Sequence, residues 1–377
     1  MEDSKIELWR ERDARLRRAL NHEPVDRIPF LFSGPAWAPH SQGMPFSVFC
    51  TDPDAALEVT LDTLDSFNDI EGINTMMCGL FPCHLTNQWF CKVRVPGRQL
   101  PDDALWQVQE EENMAIEDYD LIINKGWDAF ASKIYSKVHH PDLLEKHNAW
   151  LAENFASTPE RYHERGYAAL VSMVTEIPFE ALCGARTMPK FYSDCYRMPD
   201  KVKAALDIAQ PYWIDLAINV TKACGIKGCW VGGWRAASAL VNPRIWDKFV
   251  FPYYLDMLTK LREAGILCVL HFDQNWDRDI HRFLEFPKGC VLSLDGSTDI
   301  RRAKQILEDH MAFLGDVPPA LLAAGSPEAV YQYVRELIRD LGPTGLVMNS
   351  GCDIPYNAPR ANVEAMLAAT RECGTYA

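Results

Sequence analysis

Eight short apolar, β-rich runs divide the chain: Ile28–Phe32, Ile70–Met76, Ala168–Met173, Gly228–Val231, Ile266–Leu270, Cys290–Leu294, Met311–Leu314 and Gly345–Met348. From Ala168 onward they alternate with segments of helical length. Strands that read as continuous apolar runs are buried on both faces, and strands alternating with helices pair in parallel. The pattern predicts an α/β fold, a (β/α)8 TIM barrel, with 1–377 as a single domain. Local signals agree. Asn242-Pro243 predicts a helix running to Ala264, stopped by Gly265. Thr298-Asp299 caps a helix through Asp309, and Ser326-Pro327-Glu328 opens one that ends near Gly342. The stretch from about Cys78 to His163 breaks the rhythm. It carries a predicted hairpin at Trp89–Val95 and helices at Ile116–Lys125 and Leu143–Phe155. An insertion on the loop after the second strand lands where strands end, so 78–163 is expected over the catalytic face.

Composition excludes several classes. At 48% hydrophobic residues the chain has material for a large core and little tendency to disorder. A formal charge of -14 removes the basic stripe that a nucleic-acid partner demands. No run of about 18 apolar residues occurs, so no membrane helix is expected. The opening Met1-Glu2-Asp3-Ser4-Lys5 is polar and unlike a secretory leader. The 12 cysteines are scattered and form no C-x-x-C pair. That fits buried thiols in a reducing cytoplasm better than a disulfide scaffold. Nothing in the composition decides between a monomer and a homodimer.

Chemistry concentrates after the strands. His271 and Asp273 follow the Ile266–Leu270 run, and Cys352 follows Gly345–Met348. The i, i+2 spacing puts His271 and Asp273 on one side of an extended chain. If both strands belong to one barrel, imidazole, carboxylate and thiolate converge at its C-terminal rim, a three-ligand catalytic zinc pattern. A plainer reading stands beside it: a hydrogen-bonded strand-end histidine, and an aspartate capping the segment near Trp276. Glu176, Trp234, Arg235, Asp295 and Asp316 also fall at strand ends facing the expected pocket. Asp295-Gly296 is equally turn chemistry, Asp316 could brace a loop, and Arg235 could pair with a structural carboxylate. Cys83-His84 is a further ligand pair, weakened because neighbours in an extended chain point opposite ways.

Arg17-Arg18-Ala19-Leu20 through His22-Glu23-Pro24-Val25-Asp26-Arg27-Ile28-Pro29 resembles the opening of the uroporphyrinogen decarboxylase superfamily. The resemblance continues in Leu270-His271-Phe272-Asp273, Gly315-Asp316-Val317-Pro318, Gly325-Ser326-Pro327-Glu328, Gly351-Cys352-Asp353-Ile354-Pro355, Asn357-Ala358 and Asn362-Val363-Glu364-Ala365-Met366. It covers nearly the whole chain and is weakest in the insertion. The superfamily's decarboxylases carry an arginine-rich segment after the first strand for the porphyrinogen propionates. Here that place reads Ser33-Gly34-Pro35-Ala36-Trp37-Ala38-Pro39, without arginine.

The other branch holds zinc-dependent methyltransferases that work with cobalamin or a corrinoid protein. Those that methylate coenzyme M carry an H-x-C…C zinc motif. His271 and Cys352 match its ends, and Asp273 replaces the middle cysteine. A carboxylate hardens the site toward oxygen ligands. The resemblance, with Glu117-Asp118-Tyr119-Asp120 and Gly233-Trp234-Arg235, then implies the first methyltransferase of anaerobic O-demethylase systems. Its implied cofactors are zinc and the corrinoid of a partner protein, and its substrate is a small methoxylated aromatic compound. In that scheme His271, Asp273 and Cys352 hold zinc. Glu176, Asp295 and Asp316 are the candidate catalytic acids. Trp234, Trp276 and Arg235 hold the substrate. The rivals are a methylcobalamin:thiol methyltransferase and a metal-free decarboxylase. A corrinoid carrier is disfavoured, since no D-x-H-x-x-G motif occurs.

Overall fold

The computed structural model describes residues 2–67 and 69–376. Its strands, in chain order, are β1 Leu31–Phe32, β2 Gly72–Thr75, β3 Lys92–Arg94, β4 Gln107–Gln109, β5 Ala168–Val171, β6 Met173–Glu176, β7 Gly228–Gly233, β8 Leu267–Phe272, β9 Cys290–Leu294, β10 Met311–Leu314 and β11 Leu346–Val347. The antiparallel β3–β4 ribbon stands apart. The rest form two parallel ladders, β1-β2-β5 and β6 through β11 in sequence order. Two seams join them. β5 and β6 are one run interrupted at Ser172, whose N–H donates to the Gly228 carbonyl at 3.1 Å. On the other side Phe30 bridges Met348 in parallel, and the Leu31 N–H reaches the Met348 carbonyl at 3.0 Å. The strands therefore occupy the eight positions of a (β/α)8 barrel, as the alternation predicted. The wall parts at one place. After Met76 N–H bonds the Val171 carbonyl at 2.9 Å, no ladder joins β2 to β6 among the described residues.

Side-chain period fixes what faces inward. Val269, Val291, Ala312, Leu314 and Val347 fill the barrel interior, and Leu16, Ala19 and Leu20 of the helix Glu2–Leu20 close its floor. On β8, Cys268, Leu270 and Phe272 pack outward into the helical layer, so His271 shares the inward face of Val269.

Several helix boundaries follow their caps. Asn242 accepts from Ile245 N–H, Asp299 from Arg301 and Arg302 N–H, and Ser326 from Ala329 N–H. The helix predicted to run from Asn242 to Ala264 is two, Pro243–Phe249 and Phe251–Glu263. Pro252 has no N–H for the preceding turn and its ring crowds that turn's carbonyl, which breaks the helix at Val250. The hairpin predicted at Trp89–Val95 is also different. Trp89 ends the helix Phe81–Trp89, and β3 pairs with the more distant β4. Helices Asp118–Lys125, Trp127–Val138 and Pro141–Asn154 follow. Among the described residues no helix is long and apolar enough to cross a membrane.

Candidate metal centre

β8 delivers His271 into the upper barrel, and the chain leaves that strand through Asp273, whose N–H donates to the Gly233 carbonyl at 2.9 Å. The loop after β11 brings Cys352 to the same place. One donor atom from each of His271, Asp273 and Cys352 lies within 4.8 Å of the others. The imidazole is buried and oriented. Its Nδ1 lies 3.0 Å from the Ser293 hydroxyl on β9, the residue in register with it, and the Trp230 ring packs at 4.4 Å. Its Nε2, 3.2 Å from an Asp273 oxygen, is buried without a hydrogen-bond partner among the described residues. Burial works to lower the His271 pKa. The Asp273 and Cys352 charges outweigh it, and the net shift is strongly upward. Burial raises the Cys352 thiol, against the pull of His271. Two acidic groups thus crowd a single buried imidazole, and its Nε2 is left without a hydrogen bond among the described residues. Imidazole, carboxylate and thiolate with an open side fit a divalent ion of zinc's preferences.

The open side faces a cavity of about 930 Å³. Trp89, Trp230, Trp234, Tyr135, Tyr212 and Phe155 contribute aromatic walls. Residues of the 78–163 segment, among them Phe81, His84, Gln88 and His147, line it as well. Among the described residues no lysine or arginine belongs to the lining, whereas Glu176, Glu180, Asp273 and Asp353 do.

Two strands from His271 and in register with it through Gly232, β6 ends in Glu176, and the next helix, Pro178–Arg186, presents Glu180. Both are buried to 1% exposure. Glu180 accepts the N–H groups of Trp234, Arg235 and Ala236 at 2.8–3.0 Å, clamping the turn after β7. Glu176 has an oxygen, Oε1, with no partner among the described residues. Burial, and then the Glu180 charge, push the Glu176 carboxyl well above its ordinary range, against Arg235 and a hydrogen bond with Gln88. Burial therefore favours the neutral form of this carboxyl.

Other strand-end residues go elsewhere. Trp276 is fully buried off the cavity lining. It stacks on Phe272 at 4.3 Å, and its indole N–H donates to the Asp273 carbonyl at 2.7 Å. It braces the loop that carries Asp273 and does not line the cavity. Arg235 is also off the lining, at 1% exposure, with its guanidinium 4.2 Å from the Trp234 ring centre and 5.5 Å from that of Trp89. Asp295 accepts from Gln274 and Ser297 N–H at 2.9 and 2.8 Å, which is turn bracing. Asp316 accepts the Tyr333 hydroxyl at 2.7 Å, and burial pushes its carboxyl up to about 7. Trp234 and Glu176 do reach the cavity. Sequence reasoning missed Ser293, Glu180 and His147. The spacing of Glu180, four residues after Glu176 across a helix-opening proline, was the available signal for one of them.

Comparison with known proteins places this architecture. The chain is 27% identical over 122 residues to a uroporphyrinogen decarboxylase of Gloeobacter violaceus, covering 32% of this chain and 35% of that protein. It is 26% identical over 132 residues to a protein named methylcobamide:CoM methyltransferase MtbA, of Methanosarcina acetivorans, covering 35% of this chain and 38% of that one. The aligned regions therefore span little more than a third of either relative. A solved methyltransferase from Methanosarcina mazei shares the fold, with a TM-score of 0.70 at 17% identity, over 96% of this chain and 98% of that one. The family model described as uroporphyrinogen decarboxylase (URO-D) matches residues 159–373, more than half the sequence. The chain belongs to the uroporphyrinogen decarboxylase (URO-D) family.

Proposed function

We propose that the protein is a methyltransferase that removes the methyl group of a methoxylated aromatic compound and passes it to the cob(I)alamin of a separate corrinoid protein, with zinc held by His271, Asp273 and Cys352. The observation that carries this reading is the convergence of those three donors on an aromatic-walled cavity without a cation in its lining. A substrate bearing several carboxylates, as a porphyrinogen does, would meet Asp273, Asp353, Glu176 and Glu180 there and find no lysine or arginine. The methyltransferases among the similar proteins lend support, one of them by a name that includes methylcobamide.

A zinc ion in this donor set supplies Lewis acidity toward an oxygen leaving group. The chain's own groups do the rest. Trp89 and Trp234, with ring centres 6.1 Å apart, offer flat apolar surface for an aryl ring. Glu180 holds Trp234 in place through the backbone. Burial favours the protonated form of Glu176, and one of its carboxyl oxygens has no partner among the described residues. As the bond from methyl carbon to oxygen breaks, the electron pair stays on the oxygen and the Glu176 proton neutralises it. Ser293 keeps the His271 ring oriented throughout.

The test is direct. The purified chain, 4-methoxyphenol and cob(I)alamin should yield hydroquinone and methylcobalamin in equal amounts, and a chelator should stop the reaction. Methylation of a thiol from methylcobalamin, with no reaction on the ether, would instead favour the thiol-directed rival. Undiminished activity after complete metal removal would contradict the zinc role.

A further inference from the structure

His84 and His147, both on the cavity wall, are locked into complementary tautomers by the backbone. His84 Nε2 lies 2.6 Å from the Cys78 carbonyl. A carbonyl can only accept, so Nε2 carries the proton and Nδ1 is a bare acceptor. His147 is the reverse. Its Nδ1 takes the Leu80 N–H at 2.9 Å, so Nδ1 is unprotonated and the neutral ring bears its proton on Nε2. The rings meet edge to face with centres 4.8 Å apart. Gly79 makes this approach workable: its φ is +62°, and a Cβ there would stand 2.6 Å from His147 Nδ1.

What remains is one acceptor, His84 Nδ1, and one donor, His147 Nε2–H. Neither has a protein partner among the described residues. We propose that the two form a subsite for a single neutral hydroxyl group on the substrate, which donates to His84 and accepts from His147. This deepens the proposed function, on which it rests, by naming the methyl donor's class: a methoxyphenol with its hydroxyl free, in preference to a methoxybenzoate or a plain methoxyarene. Burial lowers both imidazole pKa values, His147 to about 3, so neither ring offers a cation to a carboxylate. The absence of lysine and arginine from the lining points the same way. The nearby Cys78 thiol, pushed up to about 12 by burial, stays protonated and does not convert the pair into a metal site.

The test uses probes that cannot give up a methyl group, so its outcome is independent of methyl transfer. Equilibrium binding to the full chain is compared for 4-ethylphenol, 1-ethyl-4-fluorobenzene and 4-ethylbenzoate. The phenol should bind about tenfold more tightly than either of the others. Two substitutions remove one function each and keep the backbone anchor. His84→Gln retains a donor for the Cys78 carbonyl and loses the Nδ1 acceptor. His147→Asn retains an acceptor for the Leu80 N–H and loses the Nε2 donor. Each should bring the phenol's advantage to within about twofold, and His147→Gln, with an N–H near the Nε2 position, should restore part of it. Equal binding of phenol and fluoroarene by the wild-type chain, no binding of the phenol, or a preference untouched in both variants overturns the proposal. A chain that prefers the phenol yet transfers no methyl group keeps this subsite and loses the methyltransferase reading.

Discussion

Two corners of one cavity hold carboxylates, buried at one and half-buried at the other, and treat them in opposite ways. At the β6–β7 corner, Glu180 accepts three backbone N–H groups and leaves nothing unmet, which is how a fold uses a buried charge for construction. At the β8–β11 corner, His271 Nε2, the Asp273 carboxylate and the Cys352 sulfur crowd together with lone pairs to spare. Glu176 stands between the two cases. It ends β6 four residues before the saturated Glu180, yet keeps an oxygen without a partner among the described residues. The difference teaches that burial alone does not mark a chemical group. Burial with unmet capacity, aimed into a cavity, does.

The largest expected effect breaks the under-satisfied corner. His271→Ala or Cys352→Ala should take methyl transfer to background while the chain still folds, read by turnover and by circular dichroism together. Wild-type turnover in either variant would put the chemistry elsewhere. Next comes the saturated corner. Glu180→Ala strands three N–H groups in the interior and should destabilise by about 3–6 kcal/mol in urea unfolding. A loss below about 1 kcal/mol would show that water replaces the carboxylate and that the clamp is weak.

Glu176→Gln should separate from Glu180→Ala in kind. Turnover at pH 7 should fall by about 10²–10⁴ with stability kept or improved. The pH dependence has a definite sign. Below the ordinary carboxyl value of 4.5, folded and unfolded chains both hold the Glu176 proton. Above it the unfolded chain releases the proton and the folded chain keeps it, so this group lowers stability as pH rises toward its raised folded pKa. Turnover that needs the acid form declines as pH passes that pKa. Both slopes should flatten in Glu176→Gln. The smallest effect sharpens the metal corner. Ser293→Ala frees the His271 ring and should weaken metal affinity by about 10–100-fold without abolishing it.

The strand-end triad was legible in the sequence because period-2 geometry and barrel topology act over a few residues. His271 follows from Val269, and Asp273 and Cys352 from the shared rim. Past the strand ends that logic stops. Asp295, Asp316 and Arg235 satisfied the same positional rule, but loop N–H groups, the Tyr333 hydroxyl and the Trp234 ring claimed them. Which partner wins depends on loops whose course no periodicity encodes. Trp276 satisfies the positional rule as an aromatic near the site, but its indole N–H donates to the Asp273 carbonyl. His84 shows the converse. It looked weak in an extended segment, but Phe81–Trp89 is helical, and the partner that gives it meaning, His147, lies 63 residues away in sequence on Pro141–Asn154.

Anomalous scattering at the zinc absorption edge, from crystals of the untreated protein and of His271→Ala, tests the metal centre most directly. The expected result is a single strong peak between His271, Asp273 and Cys352, absent from the variant. A peak elsewhere, or one that persists at full height without His271, would contradict the account.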